Sequence, residues 1–100
     1  MSGTSTLENV RENLRRQFPD LAERFHVRSL GIFGSVVRGE DRPESDLDLL
    51  VSFDTTPTLL TFLALERTLS DSLGRKVDLA MRDALKPQVG QRVLAEVVPI

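Results

Sequence analysis

One hundred residues, 13 of them basic, 15 acidic and none cysteine, can build one small core and exclude disulfides and thiolate metal sites. A formal charge of -2 argues against long nucleic acid as a partner, and five Phe with no Trp or Tyr leave little for stacking bases. No apolar run approaches a membrane span, and Met1 to Thr6 has no apolar stretch behind it, so a soluble, cytoplasmic protein with no membrane partner is expected.

Ser5-Thr6-Leu7-Glu8 has the form of a capping box, and Leu7, Val10 and Leu14 recur at helical spacing, which predicts a first helix over about residues 6–17, ended by Pro19. Asp20 to Phe25 could add a turn or two. Val27 to Phe33 (VRSLGIF) reads as a strand that stops at Gly34. Gly34-Ser35 then opens a short helical turn closed by Gly39, with Ser35 the expected N-cap.

Leu47 to Phe53 (LDLLVSF) reads as a second strand, and Pro57 to Leu73 as a long helix closed by Gly74, with Leu59, Phe62, Leu63, Leu69 and Leu73 on its core side. Lys76 to Met81 (KVDLAM) is the third strand. Pro87 marks the start of a last helix that carries Val89, Val93, Leu94 and Val97 on one face before Pro99. The expected architecture is α/β: one domain over residues 1–100, with a small mixed sheet of about three strands flanked by helices.

Side chains alternate along a strand, so Asp46 and Asp48 project together, about 6 to 7 Å apart, while Leu47, Leu49, Val51 and Phe53 face the other way. The third strand repeats the pattern with Asp78 opposite Val77, Leu79 and Met81. If the two strands are neighbours, three carboxylates meet, and the repulsion raises their pKa values unless a cation is bound. All-oxygen ligation suits Mg²⁺ or Mn²⁺, which draw their remaining ligands from water and substrate phosphates. A D-x-D at an exposed strand start is by itself more often solvated surface, and a Gly-Ser turn alone is more often just a turn. Gly34 and Ser35, which permit close backbone approach and leave free N-H groups for phosphate, make the combination specific.

With G-S-x-x-R-G, then S-D-x-D, then a distant third Asp, the chain resembles the nucleotidyltransferase superfamily related to DNA polymerase β, and more closely its minimal nucleotidyltransferase (MNT) branch. The resemblance covers essentially the whole chain. It implies that Asp46, Asp48 and Asp78 are catalytic residues binding two Mg²⁺ ions, with Mn²⁺ an alternative, and that Gly34 and Ser35 grip the β- and γ-phosphates of ATP. Arg38 matches the motif and could neutralise phosphate charge, or equally be a surface ion-pair partner. The resemblance also implies an antitoxin that transfers AMP, with release of pyrophosphate, to a hydroxyl of a HEPN-type toxin, Tyr being the expected acceptor.

Two other functions compete: an antitoxin that masks its toxin without catalysis, and a small-molecule nucleotidyltransferase. Three converging acids favour an enzyme over a mask. The short chain beyond the third strand favours an acceptor presented by another protein, while assembly with itself or with that partner stays open. Of the remaining polar residues, Ser45 is expected to hold or cap the loop, Lys76 to pair with Asp78, and His26 to sit in a loop or at a strand edge.

Overall fold

The computed structural model describes residues 6–42 and 44–100. Among them the order is α1 (Thr6–Phe25), β1 (Val27–Phe33), α2 (Ser35–Arg38), β2 (Leu47–Phe53), α3 (Leu59–Leu73), β3 (Val77–Met81), a 3-10 turn (Arg82–Ala84), α4 (Pro87–Glu96) and β4 (Val98–Pro99). Ser5 of the expected capping box lies outside the described residues.

β1 and β2 have the bounds expected from their apolar runs, but α1 runs through Pro19 to Phe25. A proline in a helix interior removes one backbone hydrogen bond and costs about 3 kcal/mol. Burying a large apolar side chain contributes about 1.5 to 3 kcal/mol, and beyond Pro19 both Leu21 and Phe25 are buried. Packing therefore carries the helix past its breaker. His26 takes the turn that follows with φ 60, and its carbonyl accepts the Asp54 N-H at 2.9 Å.

The sheet has four strands in the order β3-β2-β1-β4 rather than the expected three. β1 is antiparallel to both β2 and β4, whereas β2 and β3 are parallel, as the crossover through α3 requires. β4 escapes sequence reading because two residues ending in Pro carry no periodicity. Gly31 makes room for it: a Cβ there would lie 2.5 Å from Val97 Cγ2.

The core lies where α1 and α3 meet one sheet face. Val10, Leu14 and Leu21 of α1, Leu65 and Leu69 of α3, and Leu47, Leu49 and Val51 of β2 are buried in it, with Phe53 partly buried against it. The stripe of α3 that meets the sheet is Phe62, Leu65, Leu69 and Leu73. Leu59 and Leu63, expected in the core, are exposed, as is Leu60, because one lies in the first turn and the other falls a residue off the stripe. Thr58 caps the helix by accepting the Thr61 N-H, and Gly74 closes it at φ 70. The opposite sheet face carries Asp48, with α4 lying over it.

Candidate active site

β2 and β3 pair so that Asp48 and Asp78 are direct cross-strand partners. Neighbouring strands run about 4.8 Å apart, so the two carboxylates leave one sheet face side by side. Asp46 stands one residue ahead of β2 and is exposed, as is Asp78, while Asp48 is half-buried. Burial, first, and then the charges of Asp78 and Asp46 push the Asp48 carboxyl above the usual aspartate range, opposed by Arg38. Lys76 does not take the expected partner: its Nζ lies 3.8 Å from Asp46 Oδ2, a highly exposed and hence weak pair.

The Gly34 turn comes from the adjacent strand. Phe33, the last residue of β1, is the cross-strand partner of Asp48 on its other side, so Gly34 arrives against the same carboxylate. A Cβ on Gly34 would lie 2.1 Å from Asp48 Oδ2. Its φ of 85 and ψ of -151 fall where only glycine is at ease. Gly34, not Ser35, is the N-cap of α2: its carbonyl accepts the N-H groups of Val37 and Arg38 at 3.1 and 3.2 Å, while Ser35 is the first helical residue and its carbonyl accepts the Glu40 N-H at 2.8 Å.

α4 closes the site from above with residues to which sequence reading assigned no role. Glu96 accepts the Gly34 N-H on Oε2 at 2.7 Å and pairs through Oε1 with Arg38 Nη1 at 2.8 Å. Arg38 also donates from Nε to Glu40 at 3.0 Å. The bond from Arg38 and then that from Gly34 hold Glu96 below the usual glutamate range. Between α4 and the turn lies a cavity of about 320 Å³, lined by Gly34, Arg38, Asp48, Arg92, Val93 and Glu96 among others. No three acidic or imidazole side chains among the described residues are gathered into a metal cage. Asp46, Asp48 and Asp78 instead form an open row, which suits Mg²⁺, an ion that keeps water and shares ligands with substrate phosphates. These carboxylate donors fit that ion.

Two further contacts hold the acids in place. Ser70 Oγ accepts the Val77 N-H and Glu66 Oε2 accepts the Leu79 N-H, both at 3.0 Å, so α3 pins the backbone on either side of Asp78 and covers the sheet edge. In the loop before β2, Arg75 binds both oxygens of Asp41 at 2.7 and 3.1 Å and donates to the Ser45 carbonyl at 2.6 Å. That loop delivers Asp46. Arg75→Ala should lower the melting temperature by about 5 to 15 °C, because a well-buried pair is worth about 3 to 5 kcal/mol when broken and this one, with both side chains 18% exposed, somewhat less. Arg75 holds the Asp41 pKa down, so that stability is present above the ordinary aspartate range and lost on acidification. Thermal melts followed by circular dichroism should show the gap between wild type and variant closing below about pH 4. Equal melting temperatures at neutral pH would mean that the pair does not hold the loop.

Residues 19–100 match the polymerase β nucleotidyltransferase family. The chain is 47% identical over 93 residues to the protein adenylyltransferase MntA of Thermococcus cleftensis, covering 93% of this chain and 94% of that protein. It superposes with a TM-score of 0.79, at 38% identity and over the full length of both chains, on a solved structure provisionally called a minimal nucleotidyltransferase. A Shewanella oneidensis structure, described as a tri-AMPylated HEPN toxin in complex with its MNT antitoxin, shares the fold: TM-score 0.65 at 18% identity, over 90% of this chain and 70% of that one.

Proposed function

The chain belongs to the polymerase β family of nucleotidyltransferases, and on that premise we propose that it is a metal-dependent protein adenylyltransferase, the antitoxin of a HEPN-type toxin that it modifies. The observation that carries this reading is the cross-strand pair Asp48 and Asp78, set beside the Gly34 turn and a cavity with two arginines. Support for the substrate comes from the Thermococcus relative, named a protein adenylyltransferase. Support for the partner comes from the Shewanella complex, which pairs an MNT antitoxin with an AMPylated toxin on the same fold.

Gly34 and Ser35 would hold the terminal phosphates of ATP, with Arg38 neutralising their charge. Asp46, Asp48 and Asp78 would hold the Mg²⁺ ions, which supply stabilisation of charge on the attacking and leaving oxygens. The acceptor hydroxyl, expected to be that of a Tyr, forms its bond to the α-phosphorus as the bond to the bridging oxygen breaks, and pyrophosphate departs with that electron pair. The acceptor proton passes to Asp78, which is exposed and can be reached by a side chain that another protein presents. An activity that draws on ATP and a toxin substrate fits the cytoplasm.

The test incubates a HEPN-type toxin, its cognate partner on this reading, with ATP, Mg²⁺ and either wild type or Asp78→Ala, and reads intact mass and RNA cleavage. Wild type should add AMP-sized masses and silence the toxin at substoichiometric amounts. Asp78→Ala should still bind the toxin, since a stable interface extends far beyond one acid, yet transfer at least about 100-fold more slowly. Silencing by both proteins only at a one-to-one ratio, with no mass gained, would identify a masking antitoxin instead.

A further inference from the structure

The two groups assigned above to phosphate, the Gly34 amide and Arg38, are both already engaged by one carboxylate. Glu96 takes the amide at 2.7 Å and the guanidinium at 2.8 Å, which is the way a phosphate would bridge them through two of its oxygens. Resting on the nucleotidyltransferase reading, we propose that Glu96 is an internal anion gating the phosphate grip: it holds the Gly34 amide and Arg38 in anion-binding geometry and must be displaced when the triphosphate enters.

The surroundings make this a side-chain movement rather than a helix movement. Glu96 is the last residue of α4, and the backbone just beyond it is fixed. The Val97 N-H bonds the Val93 carbonyl at 2.8 Å, Val97 packs against Gly31 with no room for a Cβ, and β4 pairs with β1 at Val98 and Pro99. The Glu96 side chain is 24% exposed, which leaves it a path to rotate. Arg92 lies one turn earlier on the same helix and lines the same cavity, at the i,i+4 spacing that lets it receive the displaced carboxylate. Asp48 lies in the same cavity, and the Glu96 charge adds to those raising its pKa, so release of Glu96 also relieves the acids at the site.

A grip that is competent only when the gate is open binds its ligand more weakly by the fraction of open molecules. Pyrophosphate without metal reads the grip alone, by isothermal titration at neutral pH, and ATP with Mg²⁺ reads the whole site. Glu96→Gln, whose neutral amide holds Arg38 less firmly, should bind pyrophosphate about tenfold more tightly than wild type. Loss of a mere structural prop would not tighten binding. Glu40→Gln is the control for charge alone, because Glu40 also pairs with Arg38 but is not the Gly34 acceptor; it should change affinity by less than about threefold. Should Glu96→Gln fail to fold by circular dichroism, Glu96→Asp, one methylene too short to bridge both donors, is expected to show the same direction of change.

Unchanged or weaker pyrophosphate binding in the Glu96 variant, or an equal gain in Glu40→Gln, overturns the gate. If wild type nevertheless binds ATP with Mg²⁺, the nucleotidyltransferase reading stands without it. If neither ligand binds to wild type or to either variant, the grip itself is absent and both readings fall.

Discussion

Asp48→Asn should yield a protein that melts at or above the wild-type temperature without metal and transfers AMP about 10³-fold more slowly. Structural and catalytic demands on this residue point in opposite directions. In the metal-free fold, burial and the charges of Asp78 and Asp46 raise the Asp48 pKa. A carboxyl with a raised folded pKa binds protons more tightly when folded, so it weakens the fold as pH climbs from the ordinary aspartate range through the raised value. Asparagine removes that cost. The melting-temperature advantage of Asp48→Asn should therefore be absent near pH 3 and emerge as pH rises toward neutrality, in thermal melts recorded with a chelator present.

Catalysis runs the other way, because an amide cannot replace the charge of a carboxylate facing a cation, and loss of one preorganised electrostatic contact costs about 10² to 10³ in rate. A Mg²⁺ titration checks the link: added metal should raise the melting temperature of wild type more than that of the variant, because a ligand that binds only the folded state stabilises it. A variant that melts well below wild type at neutral pH, or that keeps its transfer rate, would mean that Asp48 is a structural residue.

Much of this arrangement was legible in the sequence because its signals are local. Alternation along LDLLVSF placed Asp48 opposite Leu47, Leu49 and Val51, and the structure buries those three. The ends of β1 and β2 followed from apolar runs bounded by glycine and polar residues. Local signals fall short where tertiary packing outweighs local preference, as at Pro19, where Leu21 and Phe25 hold α1 together beyond the breaker. The leucines at the start of α3 show the complementary limit: composition marks a residue as apolar, but only the sheet's position decides which of Leu59, Leu63 and Leu65 is covered.

Contacts distant in sequence leave little local trace. Glu96 reaches Gly34 across 62 residues, and Arg75 reaches Asp41 across 34. Each belongs to a segment that reads as an ordinary helix end or loop. The local features they do carry are an acid and an arginine four residues apart near the end of α4, and an arginine directly after Gly74. Neither says what it faces until the strand order β3-β2-β1-β4 is known.

Gly34→Ala should damage both the fold and the site. Backbone and site are both affected, by different means. At φ 85 and ψ -151 a residue with a Cβ is strained by about 1 to 3 kcal/mol, which for a chain of this size lowers the melting temperature by about 5 to 15 °C. The added methyl would also stand 2.1 Å from Asp48 Oδ2 and 2.9 Å from its Cγ, so the carboxylate or the turn must move. Displacing a reacting group by about 1 Å can cost about 10²-fold in rate, and here the displaced parts are the carboxylate and the turn proposed to grip phosphate, so transfer should fall by about 10³-fold or more. Gly39→Ala separates the two causes. Gly39 also has a positive φ, 75, but a Cβ there meets nothing within 4 Å, so it should lose stability by a smaller amount while its transfer rate, measured well below the melting temperature, stays within about threefold of wild type. If Gly34→Ala and Gly39→Ala lose activity equally, backbone strain alone explains the loss. If Gly34→Ala keeps near-normal transfer, the close approach of the turn to Asp48 has no part in catalysis.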